Sequence, residues 1–193
     1  MACSGAAATS ERTLLVYGDS LSAAYGLRAD QGWVALLQKR ITDQGYGYRV
    51  VNASVSGETT SGGKARLARA LAQHKPRLVI LELGANDGLR GLPVPAARSN
   101  LEAMIDLIED SGARTLLVGI QMPPNYGVQY ARSFSAMYGE LARARKLPLV
   151  PFLLDGIALD PALMQADGMH PNEAGQPRVL ENVWPQLQKM LRH

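Results

Sequence analysis

The chain has 193 residues, of which 47% are hydrophobic and 19% charged, a length and composition that suit one globular domain able to bury a core without disulfide or metal. The formal charge is +3, but Lys64, Arg66 and Arg69, and again Arg143, Arg145 and Lys146, alternate with apolar positions and read as solvated helix faces. No basic run is interleaved with aromatics, which excludes a single-strand nucleic-acid binder, and no apolar stretch reaches the length of a membrane span.

Residues 1–12 are expected to form a flexible segment ahead of a single domain at 13–193. Cys3 is the only cysteine, so no intrachain disulfide can form. Met1-Ala2-Cys3-Ser4-Gly5 resembles the end of a bacterial lipoprotein signal, with Cys3 as the residue to be lipidated; a plain chain start is the simpler reading. Three histidines with no pair at ligand spacing argue against a metal site, and no cofactor is expected.

The first predicted strand is Thr13–Tyr17, and further branched apolar runs follow at Tyr48–Asn52, Leu78–Leu83, Thr115–Ile120 and Leu149–Leu153. Between them lie stretches with helical spacing: Trp33, Leu36, Leu37 and Ile41; Leu67, Ala70 and Leu71; Leu101, Ile105 and Ile108. Gly45 and Gly47, Pro76, Gly112 and Pro148 punctuate the chain ahead of strands two to five. A last helix is predicted after Pro171-Asn172, with Pro185 kinking or ending it. Trp33 and Trp184 read as packing residues, and His74 as a partner for a helix C-terminus. Strict alternation of strand and helix predicts a doubly wound parallel sheet of five strands in an α/β domain, helices covering both faces.

In such sheets ligands bind beyond the carboxyl ends of the strands, so the loops after the strands carry the functional reading. Gly18-Asp19-Ser20-Leu21 follows strand one and sets a serine where a helix is expected to start, a position for a nucleophile. Ala53 to Thr59 follows strand two, and Gly84-Ala85-Asn86-Asp87 follows strand three. Near the other terminus, Asp167-Gly168-Met169-His170-Pro171 offers a carboxylate and an imidazole close enough to act as orienter and base. Together these suggest a serine hydrolase. Asp19, beside the serine, reads as a residue that holds the loop.

These four segments, in this order, resemble the four sequence blocks of the SGNH (GDSL) hydrolases. Val50-Val51-Asn52-Ala53-Ser54, Gly88-Leu89-Arg90-Gly91, Pro124-Asn125-Tyr126-Gly127 and Met164 to Gly168 further resemble the bacterial acyl-CoA thioesterase I, protease I and lysophospholipase group, also described as arylesterases. The resemblance implies a flavodoxin-like three-layer α/β/α fold, with Ser20 as nucleophile, His170 as general base and Asp167 as its orienting carboxylate. It also implies an oxyanion hole from the backbone N–H of Ser20, the backbone N–H of Gly57 and the side-chain amide of Asn86. A serine hydroxyl is a poor nucleophile at neutral pH, so an imidazole must take its proton and later return it to the leaving group.

Leu21, Leu89, Ile120, Met122 and Tyr126 are the candidates for an apolar groove that would take an acyl chain. Gly84, Gly88 and Gly91 would let the segment 84–92 move when the chain binds. Two positions depart from the pattern of the group: Ala85, where a second glycine often precedes the Asn, and Glu58, where aspartate often follows the glycine. Both bear on substrate preference and leave the reaction class standing. The expectation is a monomeric hydrolase of esters and thioesters of medium to long acyl chains, exported to the periplasm, working through an acyl-serine intermediate. The rivals are a carbohydrate or short-chain acetyl esterase and a noncatalytic lipid-binding envelope protein.

Overall fold

The computed structural model describes residues 12–192; the readings placed on residues 1–11, Cys3 included, lie outside them. Five parallel strands, β1 (Arg12–Gly18), β2 (Tyr48–Asn52), β3 (Leu78–Glu82), β4 (Arg114–Val118) and β5 (Leu149–Val150), form one sheet in the order β2-β1-β3-β4-β5. The central strands are buried on both faces: β3 throughout, β1 and β4 in all but their first arginine. This is why they read as unbroken apolar runs rather than as alternating ones.

The chain steps from β1 one way to β2, through α1 (Trp33–Asp43), then crosses back over β1 to β3 through α2 (Thr60–His74). It continues the same way through α4 (Val94–Asp110) and α5 (Val128–Arg145). Right-handed crossovers put α1 on one face and α2, α4 and α5 on the other. The last helix, α6 (Gln176–Leu191), packs beside α1 and completes the first layer. Trp33 is fully buried and Trp184 nearly so, as packing residues should be. The direction of travel reverses between β1 and β3, which makes the cleft at their carboxyl ends the switch point of the sheet.

Four local readings need correction. No helix starts at Ser20: residues 19–26 form overlapping turns, with Ala23 N–H on the Asp19 carbonyl at 2.9 Å and Tyr25 N–H on the Ser20 carbonyl at 3.3 Å, and α1 begins only at Trp33. Strand five stops at Val150 rather than Leu153, because Pro151 has no amide hydrogen to give the ladder. The chain after Gly84, read as a loop, contains the short helix α3 (Ala85–Leu89). Pro185 does not end the last helix: it sits inside α6, which runs on to Leu191.

Candidate active site

Ser20 leaves β1 on a turn built by its neighbour. Asp19 is fully buried and its Oδ1 accepts from the Leu21 N–H at 3.0 Å. Beneath the turn lies Glu82, the last residue of β3, also fully buried. Its Oε2 accepts from the Ser22 hydroxyl at 2.7 Å and from the Asp19 N–H at 3.3 Å, while Oε1 has no partner among the described residues. A side chain at position 18 would meet Oε2 at 2.4 Å, so Gly18 is there to let this carboxyl reach across. Desolvation pushes Glu82 well above the carboxylate range, and the neighbouring Asp19 charge adds to the shift. Burial likewise raises Asp19 to about 7, against the pull of hydrogen bonds from Leu21 and Asn86.

The chain returns to this edge at its far end. Asn172 caps the turn that opens α6, and ahead of it the loop 164–171 closes on itself through a Gln165 N–H to His170 carbonyl bond of 2.8 Å. His170 Nε2 stands 2.9 Å from Ser20 Oγ, and Nδ1 stands 2.7 Å from Asp167 Oδ2. The other Asp167 oxygen accepts from the Met169 and His170 amides at 2.9 and 3.1 Å. Desolvation works to raise the Asp167 pKa, but these amides and the imidazole outweigh it and hold the group down at about 2. A carboxylate so fixed keeps the Nδ1–H tautomer and leaves Nε2 free to accept the serine proton.

The two remaining candidates come from the loops after β2 and β3. Asn86 sits on α3 with its amide between the Glu58 carbonyl, 2.9 Å away, and Asp19 Oδ2 at a long 3.3 Å. The hydrogen making that long contact is the more weakly held of the two. Gly57 lies at φ +79°, with open space where a side chain would go; glycine is needed here for its backbone angle. Among the described residues the amides of Ser20 and Gly57 donate to no other group, so both are unspent. The loops are locked together: Val55 N–H bonds the Gly18 carbonyl at 3.0 Å, and Asp87 accepts from the Thr60 amide and hydroxyl at 2.8 and 2.6 Å. Glu58 pairs with Arg66, Nε to Oε2 2.6 Å, and Arg66 lies over the Tyr17 ring.

A cavity of about 410 Å³ opens from Ser20, Asn86 and His170 into the protein. Leu21, Leu89, Ile120 and Met122 line it as expected, and so does Ala85, whose methyl adds apolar surface beside Asn86. Tyr126 does not: it is exposed in the turn Pro124–Tyr126, outside the wall. The place assigned to it falls to Phe152 and Leu154, just past β5, and to Ala158, Leu159 and Met164. Phe152 was missed because the run Leu149–Leu153 reads as strand until Pro151 is taken as its end. Two glycines of the segment 84–92 also have a second reason to be glycine. Gly84, at φ +124°, would press a Cβ onto the Tyr138 hydroxyl at 2.2 Å, and Gly88 onto Met122 Sδ at 2.3 Å.

A hydroxyl, an imidazole and a carboxylate in sequence, beside unspent amides and an apolar cavity on a flavodoxin-like sheet, make a site suited to nucleophilic acyl transfer. The model of the GDSL-like lipase/acylhydrolase family matches residues 16–178, and the chain belongs to that family of hydrolases. It is 57% identical to Esterase TesA of Pseudomonas aeruginosa over 93% of this chain and 90% of that one. It is 42% identical to thioesterase 1/protease 1/lysophospholipase L1 of Escherichia coli over 94% and 86%. The psychrotrophic esterase EstA from Pseudoalteromonas sp., solved with monoethylphosphonate as inhibitor, superposes with a TM-score of 0.89 at 40% identity, over 94% of this chain and 100% of that one. Among the described residues no helix is long and apolar enough to cross a membrane.

Proposed function

We propose that the chain hydrolyses esters and thioesters of medium to long acyl chains through an acyl-Ser20 intermediate. The observation that carries this reading is the 2.9 Å contact between Ser20 Oγ and His170 Nε2 at the mouth of the apolar cavity. Ser20 Oγ attacks the acyl carbonyl as its proton passes to Nε2, and the developing oxyanion is met by the Ser20 and Gly57 amides and the Asn86 side chain. The carbonyl carbon then releases the alkoxide or thiolate, which takes the proton from Nε2. Water repeats the sequence on the acyl-enzyme, with His170 again the base, and returns Ser20. Asp167 holds the imidazole and stabilises its cation.

Apart from Ser20, Asn86, His170 and Gln121, the cavity wall is formed by apolar side chains and a glycine. Such a wall favours an alkyl chain over the polar rim a sugar ester would need. The enzyme is read as a monomer of the periplasm, a reading that leans on the family resemblance; sedimentation and cell fractionation check it. The central test is labelling with a fluorophosphonate: Ser20 is the residue modified, and Ser20→Ala loses labelling and turnover while keeping its melting temperature. Hydrolysis retained by Ser20→Ala overturns the assignment. With octanoyl and acetyl esters of one phenol, the octanoyl ester has the higher kcat/KM.

A further inference from the structure

The site has a second wall, outside the acyl cavity. The Tyr25 ring lies against the His170 imidazole, centroids 4.6 Å apart and planes inclined by 36°. Tyr25 is not part of the acyl cavity wall and remains 51% exposed. Burial of a loose aromatic does not explain its place, because the backbone is forced to present it. Ala24 before it adopts φ +58°, a left-handed angle that costs an alanine about 1 kcal/mol. The Tyr25 carbonyl accepts from Gln165 Nε2 at 2.8 Å, and the same nitrogen reaches the Pro171 carbonyl at 3.1 Å. Gln165 thus staples the serine loop to the histidine loop. A Cβ at position 26 would meet Gln165 Oε1 at 2.2 Å, so Gly26 is what leaves room for the staple.

We propose that Tyr25 forms the aromatic wall of a leaving-group subsite, selecting esters of phenols over esters of simple alkanols. The inference rests on the acyl-Ser20 reading and adds the side of the substrate that reading leaves open. The departing oxygen must come within hydrogen-bond reach of Nε2 to collect its proton. A ring attached to that oxygen therefore sits beside the imidazole, on the side away from the acyl cavity, where the exposed half of Tyr25 offers a stacking surface. In acylation the Oγ–carbon bond forms, the carbon–oxygen bond to the phenol breaks with its electron pair on the phenol oxygen, and the proton from Nε2 neutralises it. An alkanol leaves by the same route without a ring to stack.

Phenyl butyrate and ethyl butyrate test this directly, since both give the same butyryl-enzyme and differ only in what leaves. In Tyr25→Leu, kcat/KM for phenyl butyrate drops roughly 3- to 10-fold, kcat/KM for ethyl butyrate stays within about twofold, and Tyr25→Phe behaves as the parent on both. Equal losses on the two esters would make Tyr25 a support for the imidazole alone and overturn the proposal, as would an unchanged phenyl ester. A measurement on the unaltered enzyme keeps the test independent of variant folding: phenol is the stronger competitive inhibitor when compared with cyclohexanol, and equal inhibition counts against the subsite. Failure of the underlying reading looks different, because Ser20→Ala would then still turn over both esters.

Discussion

The sheet has two open ends, and the larger cavity is at the wrong one for chemistry. At the amino edge a cleft of about 620 Å³ lies between the ends of α2 and α4, lined by Ala68, Leu71, Lys75, Arg77 and Asp110 among others. At the carboxyl edge the cavity is smaller, about 410 Å³. The amino edge collects helix C-termini, whose negative dipole ends are suited by cations such as Lys75 and Arg77. Its one hydroxyl, Ser111, is spent on the Ile108 carbonyl at 2.7 Å, and neither an imidazole nor a buried carboxyl lines it. The carboxyl edge gathers a hydroxyl, an imidazole, several carboxyl groups and the start of α2, drawn from the chain that follows β1, β2, β3 and β5. The exposed large hydrophobics are concentrated there as well: Tyr25, Val55, Leu92, Tyr126, Val128, Leu159 and Met169 all lie in or just beyond loops that follow strands. Convergence of chemistry from several loops, more than volume, marks the working end.

The sharpest way to break this contrast is at Asp167. Asp167→Asn keeps the shape of the loop but removes the acceptor that sets the imidazole tautomer, and kcat falls by about 10⁴-fold, read with a phenyl ester at neutral pH. Asn86→Ala comes next. Removing one of the three proposed oxyanion donors is expected to cost about 10²- to 10³-fold in kcat with a smaller change in KM, because the charge it would meet exists only in the transition state. Against these, Lys75→Ala and Asp110→Ala at the amino edge leave kcat/KM within about twofold. A tenfold loss there would mean that the larger cleft takes part in turnover.

Much of this was legible before any coordinates. The central strands stand close to where the sequence places them because parallel strands buried on both faces announce themselves as apolar runs, and the loops that follow strands carry Ser20, Asn86, Asp167 and His170. The turn after Ser20 was not legible: a helix was expected, but Asp19 spends its side chain on the Leu21 amide and Ala24 takes a left-handed angle, neither of which shows in residue type. Glu82 was hidden for the opposite reason. It sits inside Leu78-Val79-Ile80-Leu81-Glu82-Leu83, where hydropathy reads as strand and a single carboxylate passes as a solvated end. Only the three-dimensional approach of Gly18 reveals that it points inward, under the nucleophile. Tyr25 was missed likewise, since an exposed tyrosine in a loop has no signature until the imidazole 145 positions later is brought against it.

A small effect on turnover within the carboxyl edge, and the most telling about how that edge is held, belongs to the buried pair Asp19 and Glu82. Burial raises both, Asp19 from 3.8 to about 7 and Glu82 well above its ordinary 4.5. Between the unfolded and folded values the native state binds more protons than the unfolded chain. Stability from these groups is therefore full below their unfolded values and is lost as pH rises toward their folded ones, for Asp19 through about 7. Asp167 has the opposite sign: its folded value, about 2 against 3.8, gives stability that is present above pH 4 and lost on acidification. The two contributions separate in urea unfolding followed from pH 4 to 8. Glu82→Gln keeps an acceptor for the Ser22 hydroxyl and removes one titrating carboxyl, so the decline in unfolding free energy over that range flattens while kcat/KM at pH 8 changes by only a few fold. An unchanged slope in Glu82→Gln would mean that the carboxyl beneath the nucleophile is solvated after all, and that the working end is held without a buried proton.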